Sequence, residues 1–480
     1  MHVTVRSVEQ HVLDMRLRMP FHFGSTEVTQ LPHIFTTAAV ELDGEVHEGV
    51  AAEHLSAMWY LKDDDGSYAD RLDLLLEPVE TATKRAETVE GESVFDYWHR
   101  LYEAQREWAT ETDHVPLVWS FGVGLVERAV IDAFCRATET TFAEAVRENV
   151  LGIDLGRIHP ELGGDEPADL LPASPLRSTT VRHTVGFTDP LTESNVAPED
   201  RLDDGLPQSL AEYIREQDLT HFKVKMVGDA TRDARRLADV AATLDESCEE
   251  YVFTLDANEQ FDTAESFREQ WEALTSNSTL EAFFDRLRYV EQPIARDEAL
   301  TERATRTFAS WDDRPPIIID ESDGDLDSLR IALDCGYDGT SHKNCKGVFK
   351  GLANACLVES RRRSAPDGDE YVLSGEDLSV VGPVGLQQDL AVTSTLGLEH
   401  VERNGHHYFR GTTALPDLVR DDLLERHPDL YRRHEEGFVA VDIENGSLET
   451  ASVVDAPFGY DFEFDATQFV PLEEWTFRSD

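Results

Sequence analysis

The sequence predicts an α/β barrel set between strand-rich segments, and three observations carry the prediction. From Thr179 onward, eight short apolar runs alternate with amphipathic helical stretches, the pattern of strands joined by crossover helices. Several of these runs stop at a carboxylate or a lysine, and in a parallel barrel the strand ends meet at one face, where active sites form. The segments before and after this stretch read as strands of a different kind. Some of the eight runs are very short, so their count also admits a doubly wound sheet.

Val3, Val5, Val8 and Val12 begin an alternating strand pattern, and Ile34–Leu42 ends in Asp43-Gly44, a hairpin signal. From about 80 to 150 the period is helical. Phe121–Phe134 has the small and apolar spacing of a buried helix. Gly152–Pro175 is rich in Gly, Pro and Asp and reads as a linker or surface insertion. The barrel strands are expected at Val181–Phe187, Phe222–Met226, Tyr251–Leu255, Tyr289–Val290, Ile317–Ile319, Gly339–His342, Tyr371–Leu373 and around Leu398–Val401, with helices such as Ala230–Thr243 and Thr263–Leu274 between them. Residues 410–480 return to strand-like segments, Gly437–Val441 among them. The divisions implied are 1–150, 176–410 and 411–480.

The formal net charge is −53, spread along the chain, yet 40% of residues are hydrophobic. That is enough to bury a core, so the acid reads as surface rather than disorder. Only seven residues are lysine, and arginine carries the remaining positive charge. An acidic, lysine-poor surface fits a halophilic protein kept soluble in concentrated salt. It also argues against nucleic acid and anionic membranes as partners, since both need basic patches. The five cysteines are scattered without a CxxC pair, which suggests neither zinc nor disulfides. Free thiols, no signal peptide and no apolar run of spanning length point to the cytoplasm.

Four of the seven lysines fall in two clusters, His221–Met226 and His342–Gly347, with a fifth at 350 just beyond. On a strand, Lys223 and Lys225 point the same way while Phe222, Val224 and Met226 face packing. Two adjacent ammoniums lower each other's pKa and make a usable base; a solvated strand face has the same pattern. Between the clusters, Asp256, Glu291 and Asp320 each stand where an apolar strand stops. Any one of them alone reads equally as a loop acid or a helix cap. Three converging carboxylates repel unless a cation holds them, and hard oxygen ligands with room for water suit Mg²⁺.

The ordered set Lys223-x-Lys225, Asp256-x-Asn258, Glu291-Gln292-Pro293, Asp320-Glu321-Ser322 and Lys343 resembles the enolase superfamily, in its mandelate racemase and muconate lactonizing branch. The resemblance covers most of the chain. It implies an N-terminal α+β capping domain completed by the C-terminal tail, over a TIM-type barrel, and often a homo-oligomer. It also implies that Asp256, Glu291 and Asp320 bind Mg²⁺, that Lys225 is the base on one face of a small-molecule carboxylate substrate with Lys223 tuning it, and that Lys343 is the acid/base on the other face. A lysine base beside Mg²⁺ is a trait of that superfamily, and a lysine at 343 points to the muconate lactonizing subgroup. The reaction expected is abstraction of the proton α to a carboxylate through an enediolate, with racemase or epimerase first and cycloisomerase or dehydratase second.

The sequence also departs from the pattern. Lys343-Asn-Cys-Lys346-Gly347-Val-Phe-Lys350 has one glycine where the family has a pair, and two extra lysines that could take a second anionic group. After the eighth strand, His400–Tyr408 lacks the Asp-x-Asp of dipeptide epimerases. Asn258, Glu376 and His406 are the candidates for substrate contact. Phe21–Gly24 and Met58-Trp59-Tyr60 fall where the family's cap loops close over the barrel mouth, although a Trp-Tyr pair also reads as core. A silent ligand-binding scaffold would be favoured by a missing base or ligand, and none is missing.

Overall fold

The computed structural model describes residues 1–23, 26–62, 66–365 and 371–478. The N-terminal sheet is antiparallel: Val3–Phe23 pairs with Thr26–Leu42, which pairs with Glu45–His54. The hairpin at Asp43-Gly44 sets Leu42 opposite Glu45, and both turn residues have positive φ, 49° and 96°, as a two-residue hairpin requires. Helices Tyr68–Ala86, Val94–Ala109 and Phe121–Thr138 pack against one another and against this sheet. The last helix comes closest at Gly49, where an added Cβ would lie 2.1 Å from the Ala129 carbonyl oxygen. Only glycine allows that approach.

Phe121–Thr138 is buried along most of its length, Glu127, Arg128 and Asp132 included. Its polar residues tie the two halves of the molecule together. The Glu127 carboxylate accepts the backbone N–H groups of Val348 and Phe349 at 3.0 and 2.8 Å, which begin the helix Val348–Ser364 after the sixth barrel strand. An acid at that helix end satisfies two N–H groups that have no intrahelical partner and complements the helix dipole. Arg128 lies 3.3 Å from Glu53 and donates to the Ala52 carbonyl at 3.0 Å.

Eight strands form the barrel: Ser178–Val185, His221–Lys225, Val252–Asp256, Leu287–Glu291, Ile317–Ile319, Gly339–His342, Val372–Gly375 and His400–Glu402. Neighbours pair in parallel in chain order, and the eighth closes on the first through His400↔Thr180, Val401↔Val181 and Glu402↔Arg182. A closed ring rules out the doubly wound sheet. The interior is unusually polar for a barrel whose type fills with branched apolar side chains. Arg182, fully buried, donates to Ser374 at 2.7 Å and to Glu376 at 3.0 Å, lies 2.7 Å from His400 Nδ1, and sits over the Tyr289 ring.

Gly152–Pro175 differs from the expected linker. Leu155, Ile158, His159 and Leu162 are buried, in short helical turns, and His159 is 2.9 Å from Asn354. Its Gly and Pro shape turns over packed side chains instead of a loose tether. The tail returns to the N-terminal sheet: Val470–Pro471 pairs antiparallel with His11–Val12, and the Tyr460 hydroxyl donates to buried Asp132 at 2.8 Å. All five cysteines are free. Among the described residues no helix is long and apolar enough to cross a membrane.

Candidate active site

Strand register assembles the site. Lys225, Asp256 and Glu291 stand opposite one another across the second, third and fourth strands, so their side chains leave the sheet on the same side. Asp320 follows the fifth strand, Lys343 the sixth and Glu376 the seventh, and Glu402 ends the eighth. The site residues expected on strands two to six therefore converge, and Glu376, expected only to touch substrate, lies among them. Glu402, Arg182 and Ser341 were not anticipated.

Lys223 is the hub. Its ammonium lies 2.9 Å from Asp256, Glu291 and Glu376 and 2.8 Å from Glu402, with its side chain 2% exposed. Burial opposes the charge, but the four carboxylates outweigh it and hold the pKa well above the ordinary lysine value. Lys225, with a side chain 23% exposed, donates to Asp256 at 2.6 Å and to the Asn258 side-chain oxygen at 2.8 Å. Here the structure corrects the sequence reading. Burial and, more weakly, Lys223 pull the Lys225 pKa down, yet Asp256 more than compensates, and the pKa lies above the ordinary value. A strand pattern shows the neighbouring lysine but not the carboxylate one strand over.

Lys343 donates to Asp320 at 2.6 Å and to Glu376 at 2.7 Å and is buried. Lys346 also reaches Asp320, with its side-chain oxygen at 2.7 Å and its carbonyl at 2.8 Å, and Lys350 lies 2.9 Å from Asp323. Both extra lysines thus serve internal acids, which leaves neither placed to take a second substrate anion. Ser341 donates a short hydrogen bond to the same Asp320 oxygen. Burial would raise the Asp320 pKa, but Lys343 and Lys346 hold it far below the usual carboxylate range.

Glu291 shows the opposite sign. Burial first, then Glu376, push its carboxyl well above the ordinary value despite Lys223. One ligand oxygen each from Glu291, Asp320 and Glu376 fall within 4.8 Å of one another. Lys223 Nζ is within 2.9 Å of both Glu291 oxygens but is aligned only with Oε1, so buried Oε2 has no hydrogen-bond donor. Glu291 keeps an orphaned oxygen and a raised pKa even among these lysines, and a hard divalent cation fits the carboxylate donor set.

Trp59 closes the site from above. Its indole N–H donates to the second Asp320 oxygen at 3.2 Å, and the Lys343 and Lys346 ammoniums lie 4.9 and 5.8 Å from its ring centroid. Lys62 donates to the Asn258 and Glu259 carbonyls at 2.5 and 3.0 Å, and Arg296 donates to the Tyr60 carbonyl at 3.1 Å. The Trp-Tyr pair is therefore both core and cover. Of the other cap loop, Phe21 packs edge-on against Tyr408, while Gly24 lies outside the described residues. His406 lies 3.1 Å from His183 and packs edge-on against Tyr213. Asn258, besides accepting from Lys225, donates to Glu321 at 3.1 Å.

Compared by sequence, the chain matches no family model and no curated protein. Compared by structure, it is similar over its whole length to a mandelate racemase/muconate lactonizing protein from Herpetosiphon aurantiacus, with 16% identity, a TM-score of 0.57, and coverage of 96% of this chain and 99% of that one. The chain has the mandelate racemase/muconate lactonizing fold. An enolase from Bradyrhizobium complexed with magnesium and mandelic acid shares it at 14% identity and a TM-score of 0.54, over 95% of this chain and 98% of the other. So does the N-succinyl Arg/Lys racemase of Bacillus cereus, at 13% identity and a TM-score of 0.54, over 95% and 97%.

Proposed function

We propose that this chain belongs to the enolase superfamily and is a Mg²⁺-dependent enzyme that removes the proton α to the carboxylate of a small-molecule acid. The observation that carries the reading is the placement of two lysines, Lys225 on the second strand and Lys343 after the sixth, on opposite sides of one buried carboxylate cluster. Magnesium bound there would act as a Lewis acid on the substrate carboxylate and stabilise the enediolate. Asp256, Glu291 and Asp320 are the holders that the sequence resemblance implies. Lys225 takes the proton on one face and Lys343 serves the other; Lys223 locks the carboxylates in place between them. Trp59 covers the cluster and excludes water. The magnesium and mandelic acid of the Bradyrhizobium structure, and the racemase activity in the Bacillus cereus protein's name, support the same chemistry.

The two lysines are not equivalent. Lys225 keeps a partly exposed side chain, whereas Lys343 is buried and held by two carboxylates. That asymmetry favours a second reading, a cycloisomerase or dehydratase in which Lys225 alone moves the proton and Lys343 stabilises charge. The deciding experiment is α-proton exchange in D₂O against a library of carboxylic acids, with Mg²⁺ in concentrated salt. In a racemase, Lys225→Ala stops exchange of one stereoisomer and Lys343→Ala stops the other. In the second reading only Lys225→Ala stops it. Exchange that persists undiminished in both variants refutes the assignment of the bases.

A further inference from the structure

We propose that one proton, held between Glu53 of the N-terminal half and Asp389 of the barrel half, fastens the two halves of the molecule together. The inference goes beyond the proposed reaction and does not depend on it. Five charged side chains gather here, all buried: Glu53 on Glu45–His54, Arg128 on Phe121–Thr138, Asp377 after the seventh barrel strand, Asp389 on the helix Gly385–Leu396, and Arg403 after the eighth strand. Three acids face two arginines, so full ionisation leaves one negative charge in excess. An uncompensated charge in the interior is costly, and a carboxylate there takes up a proton instead.

The contacts distinguish the three acids. Asp377 is well served: Arg403 Nη1 donates to it at 2.5 Å and the Ser379 N–H at 3.0 Å. Glu53 lies 3.3 Å from Arg128 and accepts the His54 N–H at 3.1 Å. Asp389 Oδ2 lies 3.4 Å from the same Arg403 nitrogen, and its buried Oδ1 has no hydrogen-bond donor. The helix bearing Asp389 lies directly on the strand bearing Glu53. Gln388 donates to the Val50 carbonyl at 2.7 Å, and a Cβ added to Gly385 would lie 3.0 Å from the Ala52 carbonyl oxygen. Burial first, then Glu53, raise the Asp389 carboxyl well above its ordinary value, and burial pushes Glu53 up to about 7 against the pull of Arg128. The two titrate as a pair. Their other ionisable neighbours add no free charge. Burial keeps Tyr60, Cys345 and the His33 and His54 rings neutral. Glu127, beside Arg128, is met by the Val348 and Phe349 N–H groups, and Glu402, beside Asp377, by Lys223. With the proton present, one carboxyl of the pair is a donor and the other an acceptor; without it, the two repel across the junction.

The test is equilibrium urea unfolding of the full chain in concentrated NaCl, from about pH 5 to about pH 8, for wild type, Glu53→Gln, Asp389→Asn and the double variant, each checked by circular dichroism. A carboxyl whose folded-state value is raised gives stability that is present below the ordinary carboxylate range and is lost as pH rises through the folded value. Wild type should therefore lose ground to each single variant between about pH 5 and about pH 7, by about tenfold in the unfolding constant per pH unit. The double variant, left with two arginines against Asp377, should be less stable than either single variant throughout. A difference between wild type and both single variants that does not change with pH overturns the inference. So does failure of both single variants to fold, because an amide closely matches a protonated carboxyl in shape; if one folds, its pH dependence decides. Replacing sodium with choline separates a proton from a bound monovalent cation: a stability loss confined to wild type overturns the proton in favour of the cation.

Discussion

Replacing Lys223 with methionine tests the cluster most directly. Methionine keeps much of the stem but deletes the ammonium that lies 2.8–2.9 Å from Asp256, Glu291, Glu376 and Glu402. Removing one partner of a buried ion pair costs about 3–5 kcal/mol. Unfolding entropy of about 2.1 cal/mol/K per residue gives a chain of this length about 1 kcal/mol per degree, so melting should fall by about 3–5 °C. Divalent cation can then replace part of the lost charge, beside Lys225, Lys343 and Arg182, which keep their carboxylates. At about 100 times its Kd, Mg²⁺ contributes about 2.7 kcal/mol, so about half or more of the deficit should return. Scanning calorimetry of wild type and Lys223→Met, in concentrated salt with EDTA or with Mg²⁺, measures both. If the variant with EDTA melts within about one degree of wild type, Lys223 is not holding the acids together.

Stability should also rise with salt, because the net charge of −53 repels itself where screening is weak; equal melting temperatures in 0.1 M and 3 M salt, a contrast of ~10 Å against under ~3 Å of screening, would end the halophilic reading. His54 is fully buried against His33 and Phe409, and burial lowers its pKa to about 3. A lowered folded-state value gives stability that is present above the ordinary value of about 6.5 and is lost as pH falls toward 3. His54→Phe should therefore gain on wild type in melting scans from pH 7 to pH 4, and a constant difference refutes this. Tyr460→Phe removes a donor from buried Asp132, which should cost about 1–3 kcal/mol in thermal unfolding; an unchanged melt would show that the tail is not fastened there.

Much of the barrel was legible because alternating apolar runs and helical periods are local patterns. Ile317–Ile319 and Gly339–His342 fall where the sequence places them, and the other strands shift by one to three residues. The lysines and the three acids were legible because they punctuate strand ends. What the sequence hid is what ring closure creates. Arg182 reads as one polar residue in a strand until the seventh strand comes round to give it Ser374 and Glu376. Trp59 is separated from Asp320 by 261 positions, and no periodicity connects them. The pKa of Lys225 was misread for the same reason: its dominant partner lies on another strand.

The last strand of the N-terminal sheet is Val470–Pro471, laid against His11–Val12. Trp475 likewise donates to Asp14, from 461 positions away, and Phe469 stacks on Phe35 at 4.9 Å. On a ribosome releasing about 5–20 residues each second, the first strands emerge tens of seconds before their final neighbour exists. During that interval the edge at His11–Val12 offers open backbone groups to any other chain. Until Val470–Pro471 is made, a nascent chain would therefore carry an aggregation hazard at that edge.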